Sequence, residues 1–295
     1  MAKAQKSTLK TRRRTSVISR FARRQPLGAI SLVIILILVA VGIFAPLLAP
    51  HDPRAINFSA LAQAPSKSHP FGTDHLGRDM LSMMMYGGRI ALLVGFVASA
   101  VGSFIGGTFG LIGAFFGGVV DNFIQRIADI LLSFPSLILA LAAVAVLGPN
   151  LFNIIMAIAI PIVPRAARIV RASALSVKET SYIDASRAVG CSPFRIMLVH
   201  IAPNIAAPFL VILTAQLAGA ILAEASLSYL GVGVPAPNFS WGGLLSGHAA
   251  QYFEIAPWMA IFPGFAIALA VFSFNLLGDA LRDYWDPKLS GAQNP

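Results

Sequence analysis

The chain has 295 residues, of which 57% are hydrophobic and 12% charged, about half the charged share of an ordinary soluble domain. With a mean hydropathy of +0.76, it reads as a chain whose solvent is a lipid bilayer and not as a water-soluble globular domain. The net charge of +10 does not mark a nucleic-acid face, because the basic residues crowd the N-terminus and the ends of apolar runs. A single cysteine, Cys191, excludes an internal disulfide framework, and no GxxxxGK[ST] phosphate loop is present.

A helix needs about 20 apolar residues to cross the hydrocarbon core. The sequence predicts six such spans, over 27–48, 90–116, 127–147, 151–170, 206–227 and 258–277. The expected organisation is an all-α polytopic membrane protein. It comprises a basic tail over 1–24, a first span within 25–50, an outer segment over 51–87, a core over 88–280 and a tail over 281–295. Nine Lys and Arg precede Gln25. The apolar run that follows is longer than the about 7–15 residues of a signal-peptide core, so it is expected to stay as an anchor. Threading from a cytoplasmic tail leaves Arg54, Lys67, Arg78 and Arg89 outside and the other Lys and Arg inside. Residues 228–257 contain none. That bias predicts both termini inside.

Ala98, Gly102, Gly106 and Gly110 recur every four residues in the second span, with Gly113 and Gly117 beyond. They share one helix face, and small residues there let another backbone approach closely. Packing within this chain is the expectation, in preference to dimerisation.

Between the fourth and fifth spans the chain reads YIDASRAVGCSPFRIMLVHIAPN over 182–204. Ser181 and Asp184 suit a helix start, Gly190 a left-handed stop, Ser192 and Pro193 a second start, and Pro203 an end. A connection of over thirty residues (171–205) far exceeds the usual about 4–6. The expectation is a pair of short helices that docks a partner.

Asp184-Ala185-Ser186, Gly190 and Pro203 resemble the Glu-Ala-Ala…Gly…Pro loop of ABC-transporter permease subunits, with Asp184 for Glu, Ser186 for Ala and Ala202 where Leu is common. HPFGTDHLGRD over 69–79, AEASLSYLG over 223–231 and FNLLGDALRD over 274–283 are similar to the dipeptide, oligopeptide and nickel permeases, specifically their C-type subunit. The resemblance covers about 25–288. It implies a type I ABC importer permease fold in a bacterial or archaeal cytoplasmic membrane. It also implies a related second permease subunit, one or two cytoplasmic ATPases and an extracytoplasmic substrate-binding protein. The loop would be the coupling helix that seats in an ATPase, with Tyr182, Asp184, Ala185, Ser186, Arg187, Gly190, Pro193 and Arg195 as its contacts. ATP and Mg²⁺ would sit on the ATPases, with no cofactor on this chain and no covalent chemistry. Di- or oligopeptides are the expected substrates, with nickel or another small solute as the alternative.

Other residues carry readings of their own. His69, Asp74, His75 and Asp79 have the chemistry of metal ligands, but Pro70, Gly72 and Gly77 among them read as a structured turn, and no metal is expected. Glu224 falls near the outer end of the fifth span. An acid in the membrane is costly, so it reads either as part of the path or gate or as a partner for a neighbouring helix. Arg165, Arg168 and Arg171 recur every three residues, as interfacial anchors or as guides for the loop. Arg126–Asp129 and Asp279–Arg282 are i,i+3 pairs. Trp241, Trp258 and Trp285 suit membrane interfaces. A proton-coupled carrier would need buried relays, for which only Glu224 qualifies. A scaffold that docks a soluble partner without transport is the third class.

Overall fold

A computed structural model describes residues 21 and 24–285. The tail expected over 1–24 lies almost wholly outside the described residues, and the one expected over 281–295 is described only to Trp285, as the end of the last helix. Those residues form helices and turns, with one isolated bridge between Thr73 and Asp79.

The first span, α1 (Pro26–Ile43), starts with Pro26 at its first turn, where a missing N–H costs nothing. It buries only a stripe, Gly28, Ser31, Ile35 and Gly42. The stripe lies close against its neighbours: a Cβ on Gly28 would fall 2.3 Å from Ala280 and one on Gly42 3.2 Å from the backbone of Arg89. Residues 51–79 then fold into an irregular cap.

Asp79 starts α2 (Met80–Phe116) ten residues before the expected span, because its carboxylate accepts from Ser82 N. At 37 residues and 1.5 Å each, α2 is about 55 Å long and projects beyond a hydrocarbon core of about 30 Å. It is the spine of the bundle.

The expected third span is not one helix. It divides into α3 (Gly118–Leu132) and α4 (Ser136–Leu147), bent by 91°. Pro135 lies at the break and cannot donate the hydrogen bond that would continue α3. With 12 residues, α4 is about 18 Å long and cannot cross alone. Among the described residues, five helices are therefore long and apolar enough to cross, and the bent pair makes up to six.

The fourth span comprises α5 (Leu151–Ala159) and α6 (Ile162–Lys178), interrupted at Ile160 and Pro161. Then come α7 (Ser181–Ala188), α8 (Ala206–Tyr229), the short α9 (Trp241–Leu245) and α10 (Trp258–Trp285). The spine α2 packs on α6 and α8, and α10 packs on α8 and α1. The buried side chains fall into clusters along α2. One unites Val94 and Ala98 with Val144, Ile154 and Ile158. Another unites Ala114, Val170 and Ala174 with Ile183, Ile196 and Ile205.

Gly102, Gly106 and Gly110 face the fourth span. A Cβ there would lie 2.7 Å from Ile162 Cβ, 2.2 Å from the Val163 carbonyl oxygen and 2.3 Å from the Ala167 carbonyl oxygen. The four-residue spacing thus lays two backbones against each other.

Candidate functional site

The polar connection is built on one buried side chain. Ile183 in α7 is fully buried among Val170, Ala174, Ile196 and Ile201, while Tyr182, Asp184, Ala185 and Arg187 around it are exposed. Thr180, not Ser181, occupies the N-cap position, without a side-chain cap bond; its hydroxyl instead donates back to the Val177 carbonyl. The other end matches its chemistry closely. Gly190 has φ of 81°, Gly190 N donates to Arg187 O at 2.9 Å and Cys191 N to Ser186 O at 3.1 Å. Those two bonds form a Schellman stop. Nothing lies within 4 Å of a Cβ on Gly190, so backbone conformation and not space requires glycine there.

Ser192 then accepts from Arg195 N, with Pro193 at the first helical position. Pro203 does not end this second helix. The backbone passes through a π turn (Ile196–Ile201) and a 3₁₀ turn (Ala202–Ile205) and continues as α8. A proline ring collides with the carbonyl four residues back and removes one donor, and widening then tightening the helix absorbs both effects. Tyr182 locks the bend: its hydroxyl donates to the His200 carbonyl at 3.2 Å and accepts from Asn204 Nδ2 at 3.1 Å. Asp184 pairs with Arg187 on its own helix at 2.8 Å. The pair therefore presents a surface of Ala185, Val189 and Phe194 beside Asp184, Arg187 and Arg195, all exposed.

This element is wired to the spine. Lys178 Nζ donates to the carbonyls of Ala114 and Phe115, each at 2.8 Å, and so caps the end of α2. Of the arginine series, Arg171 grips both oxygens of Asp121 in α3, and Arg168 pairs with Asp129. The expected Arg126–Asp129 pair gives way to this longer-range one. Asp279 and Arg282 form no ion pair among the described residues. Arg165 instead lines a cavity of about 780 Å³ with Arg168, Val211, Gln216 and Arg282. None of these contacts was legible in the sequence, because each joins residues dozens of positions apart.

At the opposite end of the bundle, Glu224 is fully buried and accepts from Ser228 Oγ at 2.7 Å. It stands where α8 meets the segment that follows it. One residue along, a Cβ on Gly242 would fall 2.1 Å from the Ala225 carbonyl oxygen. Trp241 is buried, not interfacial, and its Nε1 donates to Met84 O at 2.9 Å. Trp258 Nε1 donates to Thr73 O at 2.9 Å; the Trp285 side chain lies outside the described residues. Within 69–79, Asp74 holds its own turn, accepting from Leu76 N, Arg78 N and the Arg78 guanidinium at 2.6–2.9 Å. Asp79 caps α2 and meets His69 at 2.9 Å.

Comparison with known proteins decides what this architecture is. A model of the binding-protein-dependent transport system inner membrane component matches residues 98–291. The chain belongs to that family. These permeases are membrane subunits of ABC transporters. A second model, the N-terminal TM domain of oligopeptide transport permease C, matches residues 16–65 of this permease. Among its relatives, the dipeptide transport system permease protein DppC of Alkalihalophilus pseudofirmus is 44% identical, with 90% of this chain and 88% of that protein covered. The probable D,D-dipeptide permease DdpC of Escherichia coli K12 is 40% identical, over 91% and 90%. The glutathione permease GsiD of Escherichia coli O6:K15:H31 is 40% identical, over 91% and 89%. The inward-facing MetNI methionine ABC transporter shares the fold of this permease at a TM-score of 0.52 and 21% identity, over 68% of this chain and 97% of that one.

Proposed function

We propose that this permease forms half of the translocation pathway of an ATP-driven importer for di- or oligopeptides delivered by an extracytoplasmic binding protein. The names of its relatives support the substrate class. The observation that carries the mechanism is the α7 pair, an exposed, charged, sharply stopped helix anchored to the bundle through Ile183. In this reading α7 seats in a cytoplasmic ATPase, with Tyr182, Asp184, Arg187, Gly190 and Arg195 setting its shape and contacts. A second, related permease subunit supplies the other half of the pathway. ATP and Mg²⁺ sit on the ATPases. Closure of those subunits pushes α7, and Lys178 and Tyr182 pass the displacement to α2 and α8.

The charge bias supports cytoplasmic termini in the inner membrane, which puts 51–79 and 230–257 outside. Glu224 then lies at the outer joint, as a gate-positioning residue. An epitope at Asn238, which is exposed, reads this topology better than one at Ser240, which is buried. It should be reachable from outside intact cells, and finding it protected would reverse the orientation. Proteoliposomes holding the permease pair and ATPases, with binding protein added, decide the function. Labelled dipeptide should accumulate with ATP and without a proton gradient. Accumulation of nickel alone, or uptake that needs only the gradient, would replace the peptide-importer reading.

A further inference from the structure

His51, His69 and Asp79 come from three separate stretches: just after the first helices, the middle of the outer cap, and the start of α2. One donor atom of each lies within 4.8 Å of the others. The Asp79 side chain is 1% exposed, and no Lys or Arg pairs with it among the described residues. Its Oδ1 meets His69 Nδ1 at 2.9 Å and His51 Nδ1 at 3.7 Å, with the two imidazole rings 4.7 Å apart. Its Oδ2 accepts from Ser82 N at 2.8 Å and Ser82 Oγ at 2.7 Å. The same hydroxyl accepts from His51 N at 3.2 Å. Ser82 thereby orients the carboxylate and the backbone of His51 together, as outer hydrogen bonds orient metal ligands.

A helix cap needs only Ser82 and Asp79. Two imidazole nitrogens turned on the remaining oxygen call for a further explanation, and a buried carboxylate needs a compensating positive charge. We propose that His51 Nδ1, His69 Nδ1 and Asp79 Oδ1 bind a divalent transition metal of the zinc type. Bonds of about 2.0–2.2 Å in a tetrahedral site set neighbouring donors about 3.3–3.6 Å apart. The two separations to Oδ1, 2.9 and 3.7 Å, bracket that spacing. Two imidazoles and one carboxylate suit Zn²⁺ and its neighbours, not Mg²⁺ or Ca²⁺. His51 and Arg54 line an adjoining cavity of about 720 Å³, which admits the ion and a water as fourth ligand. On binding, the ion takes the place of the proton between His69 and Asp79, and that proton leaves to solvent. The ion then ties the chain leaving the first span to the start of the second. The sequence expectation of no metal rested on His69, Asp74, His75 and Asp79. The fold gives Asp74 to Arg78 and supplies His51.

The test uses the full chain, untagged by histidine, stripped with chelator in detergent. Zn²⁺ is titrated by calorimetry and Co²⁺ by its visible absorption. One equivalent should bind, with the intense Co²⁺ bands of a four- or five-coordinate site. His51 is partly exposed, so His51→Gln should fold and elute as wild type while binding at least about tenfold more weakly. His75→Gln should bind as wild type. Asp79→Asn keeps the cap oxygen and should also lose the metal. No saturable binding by wild type overturns the site, and so does binding that His51→Gln leaves unchanged, the mark of adventitious surface metal.

Discussion

Lys178, the last residue of α6, reaches the carbonyl oxygen of Phe115 at the end of α2 at 2.8 Å. Its ammonium also bonds Ala114 O at 2.8 Å and lies 5.9 Å from the Phe115 ring centre. Three residues later the exposed α7 begins. A charge thus joins the exposed α7 to α2, at the negative end of the α2 dipole.

Lys178→Met should leave insertion intact and remove this tie. Hydrogen bonds to charged groups contribute about 1.5–3 kcal/mol when shielded, and a half-exposed lysine sits at or below the low end. A thermal-melting scan should show a fall of a few degrees. Uptake per ATP hydrolysed should fall further than either rate alone. Unchanged coupling would remove Lys178 from the transmission path.

Gly190→Val puts a branched side chain at φ of 81°, a strain of about 1–2 kcal/mol. The Schellman stop should slip and misorient α7, while the spans insert normally. Asp184→Lys, which breaks the 2.8 Å pair with Arg187 and reverses a surface charge, should weaken ATPase seating more directly. In both variants, substrate-stimulated ATP hydrolysis and uptake should fall together. A cysteine at Ala188 should crosslink to an ATPase surface cysteine. Wild-type uptake in both, with no crosslink, would exclude the docking role.

Gly106→Leu forces a Cβ to within 2.2 Å of the Val163 carbonyl oxygen, where backbone faces backbone and no side chain can swing away. Lower yield of assembled complex is expected, measured as the fraction that co-purifies with the ATPase. Gly219→Leu, on α8 with nothing within 4 Å of its Cβ, is the control for added bulk.

Glu224→Ala leaves Ser228 Oγ without its 2.7 Å acceptor at a fully buried position, a loss of about 1–3 kcal/mol on the scale of an orphaned buried hydrogen-bond partner. Glu224→Gln preserves shape and an acceptor. If Glu224 positions the outer joint, Glu224→Ala should raise ATP hydrolysis in the absence of binding protein, and Glu224→Gln should not. Equal basal hydrolysis in both would leave the residue a packing element only.

The sequence alone determined what the solvent demands of each stretch in isolation. Apolar runs long enough for a bilayer mark the spans over 27–48, 90–116, 206–227 and 258–277. Gly190, Ser192 and Pro193 mark their own turns, since caps and stops act within a few residues. Local reading failed where a local signal was misweighed: Pro135 lies inside the expected 127–147 span and breaks it. It failed again where two partners competed. Arg126 is three residues from Asp129, yet Arg168 takes that acid, because α6 passes beside α3 in the folded bundle. The glycine face at 102, 106 and 110 was visible as a spacing, while its partners Ile162, Val163 and Ala167 were not. Tertiary structure alone decided Lys178 on Phe115, Arg171 on Asp121 and His51 on Asp79. Such contacts depend on which helix lies beside which, and close packing of whole helices, not the preferences of neighbouring residues, sets that arrangement.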